Sequence, residues 1–173
     1  MSPVFTSISH DAFVADVQAM AAGIAAAPDW RPDTIVGIGR GGLVPAVYLS
    51  HAVGLPMLSC DFTSQVEDGA GDLLIRLAAR TRDGERLLFV DDINDSGRTI
   101  GMLRARLAAA GGVAAMVRFA TLLDNDVSAQ RVDYRARAID RRIVKDWFVF
   151  PWEALASAEA IADDAAEVPD RLG

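Results

Sequence analysis

The sequence predicts an α/β domain with a mainly parallel central sheet flanked by helices, and three stretches carry that reading. Leu87-Leu88-Phe89-Val90 is an unbroken apolar run, as expected of a strand buried on both faces of a parallel sheet. Thr34-Ile35-Val36-Gly37-Ile38 is a second such strand. Both lead through small residues into a helical stretch, and strands alternating with helices are the pattern of parallel sheets. Val113 to Leu123 supplies a third buried strand.

The remaining elements follow in chain order. Asp11 to Ala27 is Ala-rich and carries Phe13, Val17, Met20 and Ile24 at helical spacing, so it reads as an amphipathic helix. Pro28, Pro32 and Asp33 stop it. After the strand at 34–38 comes the turn Gly39-Arg40-Gly41-Gly42, then a helix from Leu43 to Val53 that tolerates Pro45 in its first turn. Leu55 to Phe62 offers a strand. Thr63 to Ala70 is polar and Gly-containing, Asp72 to Ala79 partly apolar, and Arg80 to Arg86 centres on an Asp83-Gly84 turn. Ile100 to Ala110 reads as a helix ended by Gly111-Gly112. Val132 to Ile139 is a strand with alternating Arg135 and Arg137, and Ala154 to Ala166 a solvated terminal helix without assigned chemistry.

Composition narrows the classes. At 173 residues, with no internal repeat or low-complexity linker, residues 1–173 read as one domain. Hydrophobic residues make up 51% of the chain, yet no apolar run reaches membrane-span length. Ser9-His10-Asp11, without a basic flank, does not look like a secretory signal. One cysteine offers neither a disulfide framework nor a metal cluster. A soluble, cytoplasmic protein is the expectation. The net charge of −7 speaks against general nucleic-acid binding. It leaves anionic small ligands open, since local loops set the potential where they bind.

The chemistry concentrates in Val90-Asp91-Asp92-Ile93-Asn94-Asp95-Ser96-Gly97-Arg98-Thr99. Two carboxylates stand at the carboxyl end of a strand, where open α/β sheets place their ligands. Small residues then open a helix, whose backbone N–H groups and dipole suit a phosphate. Paired acids in front of a phosphate cradle suit a sugar phosphate. A strand-to-helix turn with ordinary Asp and Ser caps is the bland alternative. The Gly39-to-Gly42 turn lets the backbone approach a pyrophosphate closely, and Arg40 can add charge-assisted contacts. By itself that turn is an equally ordinary strand-to-helix connection.

Val90 to Thr99 resembles the phosphoribosyl pyrophosphate (PRPP) binding motif of type I phosphoribosyltransferases. The Gly39-to-Gly42 turn, with Leu43-Val44-Pro45, resembles the pyrophosphate loop of the purine enzymes of that family. Trp147-Phe148-Val149-Phe150-Pro151-Trp152-Glu153 resembles the Trp-x-x-x-Pro-Trp-acid segment of the xanthine–guanine type. Read without the family, that last segment is an aromatic packing corner. The resemblance spans roughly residues 34 to 153.

It implies the type I phosphoribosyltransferase fold, with a core at about 30–125, a small base-binding hood at about 126–153, a helical tail at 154–173 and a mobile flap over the substrates. The flap falls on Thr63 to Arg86, with Arg76, Arg80 and Arg82 as candidates for pyrophosphate. A non-proline cis peptide is implied at Gly39-Arg40. Asp91 and Asp92 would take the ribose hydroxyls, directly or through Mg2+, with Glu153 near the metal shell. Asp95, Ser96, Gly97, Arg98 and Thr99 would hold the 5-phosphate, and Asp95 would accept or relay a purine proton. Trp147 would stack on the base and Phe148 contact it. The implied activity is purine salvage: transfer of the phosphoribosyl group from PRPP to guanine, xanthine or hypoxanthine, releasing pyrophosphate and a nucleoside monophosphate. A homo-oligomer, dimer or tetramer, is implied too.

One departure stands out. Relatives end the strand before the hood in a Lys that donates to the purine 6-oxo group. Thr121 falls at that position in our reading, with Asn125 or Lys145 as possible substitutes, so the identity of the base stays open. Two other classes compete: a regulatory phosphoribosyltransferase-like sensor of PRPP or nucleotides, and a phosphoacceptor signalling domain. The second leaves the glycine turn and the Trp147 segment without a purpose. His10 and His51 have no sequence partner that suggests catalysis, and Cys60 reads as a small buried residue.

Overall fold

A computed structural model describes residues 4–62 and 71–166. In chain order the elements are β1 (Phe5–Ser7), α1 (His10–Ala26), β2 (Thr34–Ile38), α2 (Gly39–Val53), β3 (Met57–Cys60), α3 (Gly71–Arg82), β4 (Leu87–Asn94), α4 (Arg98–Ala109), β5 (Val117–Asn125), β6 (Tyr134–Ile139), β7 (Trp147–Val149) and α5 (Ala158–Ala166). Five strands form a parallel sheet in the order β3-β2-β4-β5-β6. It is covered on both faces. Leu88 and Val90 of β4 pack with Phe13, Val17, Met20 and Ile24 of α1 and Ala46 and Leu49 of α2. Leu87 and Phe89 pack with Leu74, Leu77 and Ala78 of α3 and Ile100, Leu103 and Leu107 of α4. Burial on both faces is why β4 is uniformly apolar where an exposed sheet would alternate. Each of the larger of these side chains, the alanines excepted, contributes about 1.5–3 kcal/mol of transfer free energy.

The predicted α/β architecture is the one observed, with local corrections. α1 begins one residue early, because Ser9 Oγ accepts the Ala12 N–H at 3.2 Å and caps it. α2 begins at Gly39, so the glycine turn is the first turn of the helix rather than a loop before it. No cis peptide occurs among the described residues, Gly39-Arg40 included. A short 3-10 turn at Ala114–Met116 precedes β5, which runs on to Asn125.

The flap reading changes most. Its first part, Thr63 to Ala70, lies outside the described residues. From Gly71 the chain is the helix α3, whose Leu74, Leu77, Ala78 and Thr81 are buried. The three arginines are placed away from the cleft. Arg80 donates to the Glu85 carboxylate through Nε and Nη2, and that bond holds Glu85 below the usual carboxylate range. Arg82 Nη1 donates to the Ala110 carbonyl at 2.9 Å, and Arg76 is exposed on α3.

The second sheet has two strands, β1 and β7, paired in parallel with Phe5 opposite Trp147 and Ser7 opposite Val149. Within the 126–153 segment, β6 belongs to the central sheet, and β7 alone pairs with the N-terminal strand. Three residues of β1 are too few to show a period, so the sequence gives no sign of it.

Cys60 ends β3 at 1% exposure. Burial and the neighbouring Asp61 charge push its thiol up to about 11. Cys60 is therefore expected to resist a thiol reagent at pH 8 in the native protein and to react fully in denaturant. Rapid labelling of the native chain would contradict this burial. No helix among the described residues is long and apolar enough to cross a membrane.

Candidate active site

β2 and β4 are neighbours, yet the chain leaves them in opposite directions, to β3 through α2 and to β5 through α4. The carboxyl ends of these strands therefore open a crevice at a topological switch point. A cleft of about 800 Å³ lies there, lined by Gly39, Arg40 and Gly41, by Asp91 and Asp92, and by Thr99 and Glu153.

Two glycines make the crevice narrow. A Cβ on Gly42 would lie 2.1 Å from the Val90 carbonyl oxygen, and one on Gly41 would lie 2.5 Å from Asp92 Oδ2. The first turn of α2 thus rests directly on β4, bringing Arg40 and the Asp91–Asp92 pair into one space. Neither α2 nor α4 has a side-chain hydrogen bond from its N-cap residue; the caps are Ile38 and Gly97. Two helix N-termini, the positive ends of their dipoles, therefore meet at the cleft.

Both acids are half-buried. Burial pushes the Asp91 carboxyl well above the usual range, and the adjacent Asp92 charge adds to the rise. Asp92 is pushed up to about 6, chiefly by burial, with a further upward contribution from Glu153. Asp91 Oδ1 accepts the Asp92 N–H at 3.0 Å, and Asp92 Oδ1 accepts that of Ile93 at 2.7 Å. Like charges crowded at one point suit a counter-cation.

The end of β4 and the loop after it are braced by the end of β5 and the chain just beyond it. Asn94 Nδ2 donates to Asp124 Oδ1 at 2.8 Å, Ser128 Oγ to Asn94 Oδ1 at 3.1 Å, and Asn125 Nδ2 to the Asp95 carbonyl at 2.9 Å. Gly97 has φ +85°, and a Cβ there would come within 2.7 Å of the Gln130 nitrogen. Ser96 and Arg98 are exposed, and Ser96 Oγ accepts the Arg98 N–H at 3.3 Å.

The other end of the site requires a correction. Thr121 sits mid-strand, paired with Asp91 in register, at 0% exposure. It is four residues short of the end of β5 and contributes nothing to the cleft lining. The strand end belongs to Asn125, which contacts Asp95. Phe148 and Trp147 stand on β7, outside the lining of the described cleft. Glu153 lines the cleft with Oε2 also accepting the Phe150 N–H at 2.7 Å.

Sequence reasoning missed Arg141 and three residues of the C-terminal tail. Arg141, 8% exposed, donates through Nε to Asp95 Oδ1 at 3.1 Å; nothing in the sequence separates it from its exposed neighbour Arg142. Arg141 stands outside the cleft lining, whereas Ala156, Ala160 and Asp164 belong to it. Their four-residue spacing, which puts side chains on one side of a helix, is the signal that could have found the last two on α5.

Fold and site together define an α/β domain with a cleft at the carboxyl edge of a parallel sheet, between two helix N-termini. The family model for the phosphoribosyl transferase domain matches residues 6–157, and the chain belongs to that family. It is 30% identical over 125 residues to the xanthine-guanine phosphoribosyltransferase of Idiomarina loihiensis, covering 69% of this chain and 70% of that protein. Among solved structures, the xanthine-guanine-hypoxanthine phosphoribosyltransferase of Helicobacter pylori shares the fold at TM-score 0.65 and 19% identity, over 87% of this chain and 94% of that one. The purine phosphoribosyltransferase of Pyrococcus horikoshii does so at TM-score 0.62 and 23% identity, over 88% and 97%.

Proposed function

We propose that this chain transfers the 5-phosphoribosyl group from PRPP to a 6-oxopurine, releasing pyrophosphate and a nucleoside monophosphate. The observation that carries the reading is the Asp91–Asp92 pair standing between the N-termini of α2 and α4 in one cleft. The acids would take the ribose 2- and 3-hydroxyls. The first turn of α4 and the Thr99 hydroxyl would hold the 5-phosphate. Arg40 and the first turn of α2 would hold the pyrophosphate and stabilise its charge as it leaves. Asp95 would take the proton from the ring nitrogen, and Trp147 and Phe148 would bind the ring face.

The donor set fits Mg2+. Among the described residues no three His, Cys, Asp or Glu side chains form a complete metal cage. Magnesium, however, usually takes one or two carboxylates and completes its shell with phosphate oxygens and water. Asp91 and Asp92 would hold it, with Glu153 nearby, and when bound it would neutralise the pyrophosphate. A cytoplasmic location and a homo-oligomeric state belong to the same proposal and rest on the family resemblance.

Pyrophosphate release from PRPP across guanine, xanthine, hypoxanthine and adenine, with and without Mg2+, tests this. Release is expected with at least one 6-oxopurine and lost on chelation. Asp95→Asn is expected to lower kcat about a hundredfold or more. Tight PRPP binding without release for any base would favour a PRPP sensor.

A further inference from the structure

The group at Arg141 is the least explained part of the molecule. A guanidinium carries five N–H donors in a rigid planar fork and accepts nothing. Arg141 Nε donates to Asp95 Oδ1 at 3.1 Å. Nη1 donates to the Asp146 carbonyl at 2.7 Å and the Val144 carbonyl at 3.2 Å. The Arg141 backbone N–H donates to Asn125 Oδ1 at 3.1 Å, fixing the residue against the end of β5. Nη2 is buried and has no hydrogen-bond partner among the described residues. Leaving a charged donor buried and unpaired is costly, so such a group calls for an explanation, a role in the site among them.

The fork says where Nη2 faces. Nε–H and one Nη2–H leave the guanidinium along the same edge, so Nη2 looks toward the side on which Asp95 sits. The guanidinium carbon lies 5.2 Å from the centre of the Phe148 ring. One cation thus joins the proposed proton acceptor to the proposed ring-binding aromatic. In a 6-oxopurine the five-membered-ring nitrogen N7 and the carbonyl O6 stand side by side, the pair that an arginine edge reads in guanine.

We propose that Arg141 is a specificity-determining residue of this site: while Asp95 serves the ring nitrogen, Arg141 Nη2 donates to the neighbouring exocyclic oxygen. This deepens the reading of the site as a purine phosphoribosyltransferase and rests on it. It moves the oxygen-recognising cation off β5, where Thr121 is buried and Asn125 is occupied with Asp95 and the β6–β7 turn. Because Arg141 can only donate, a ring carrying an amino group at that position would meet two donors face to face. A carbonyl ring is therefore accepted and an amino ring rejected. Nη2 is sealed from solvent in this arrangement, so admitting the ring entails a local shift of Phe148 or of the turn between β6 and β7.

The test is calorimetric binding of inosine 5′-monophosphate and adenosine 5′-monophosphate, with Mg2+, to the wild type, Arg141→Gln and Arg141→Lys. The wild type is expected to prefer the oxo nucleotide by about tenfold to a hundredfold, the span of one charge-assisted hydrogen bond. Arg141→Gln, which can both donate and accept, should bring the ratio toward one, and Arg141→Lys should retain the preference. An unchanged ratio in Arg141→Gln, with both ligands weakened equally, would reduce Arg141 to a structural support of Asp95 and overturn the inference. Equal binding of both nucleotides by the wild type would overturn it even if the glutamine variant does not fold. The two readings fail separately. Preference for the oxo nucleotide without pyrophosphate release from PRPP would sink the transferase reading alone. Release with an unchanged Arg141→Gln ratio would sink this one alone.

Discussion

Gly42→Ala is expected to be the most damaging single-methyl change in the core of the site. The added carbon would sit 2.1 Å from the Val90 carbonyl oxygen, and no side-chain rotation can relieve a clash with backbone. Either α2 lifts from β4 or β4 bends. Overpacking of this kind costs about 1–3 kcal/mol or more, and a backbone obstacle belongs at the upper end. A fall in melting temperature of about 5–10 °C should follow, with loss of pyrophosphate release beyond what the residual folded fraction explains, because Arg40 and Asp92 would be pushed apart. Gly71→Ala is the control, since nothing among the described residues lies within 4 Å of its Cβ position. A Gly42→Ala protein as stable and active as that control would show that the first turn of α2 does not need this approach.

Asp92→Asn should move stability and activity in opposite directions. The carboxyl is pushed up from its ordinary 3.8 to about 6, so the folded state holds this proton more tightly than the unfolded state. The contribution of Asp92 is favourable below pH 4 and is lost as pH rises through 6. At neutral pH the ionised acid therefore costs stability, and the asparagine, which keeps an oxygen for the Ile93 N–H, does not. In metal-free protein kept in chelator, the variant is expected to gain about 1–3 kcal/mol, or about 3–10 °C. The gain should be absent near pH 4, grow up to about pH 6 and level off above it. Pyrophosphate release should fall about 10²- to 10³-fold, the usual loss when one preorganised electrostatic partner is removed. Melting curves across pH check the first part. A variant less stable than wild type at pH 8 would mean that the acid is already balanced by a cation of the protein itself. Function, on this account, is held at the expense of stability.

The parts of this molecule legible in sequence are those where one stretch of chain contains its own explanation. β4 announces its double burial in Leu87 to Val90, and the acids that follow it lie within the same ten residues as the loop opening α4. The glycine turn reads in sequence as room for a pyrophosphate, while its contacts in the fold, Gly42 on Val90 and Gly41 on Asp92, join positions some fifty residues apart and leave no local signal. The base end was read poorly because its parts come from three places. Asn125, Arg141 and Phe148 meet only once β5, the turn after β6, and β7 are in place, and a one-dimensional match put weight on Thr121 instead. The family resemblance points to a flap carrying Arg76, Arg80 and Arg82. Apolar spacing at Leu74, Leu77 and Ala78 marks the same stretch as a packed helix.

The pairing of β1 with β7 has a consequence for how the molecule is assembled. Thr6 donates to the Asp146 carboxylate across 140 positions of chain, and among the described residues the strands on either side of that bond pair only with each other. Contacts so distant in sequence carry a large loop-closure cost, and they form after local ones have shortened the effective loop. During synthesis the five-stranded sheet can therefore close, acids and glycine turns included, while Phe5 to Ser7 still wait for a partner. The end of the site that would choose the ring is completed after the sheet, and a change in Phe5 to Ser7 reaches it as directly as one beside Trp147.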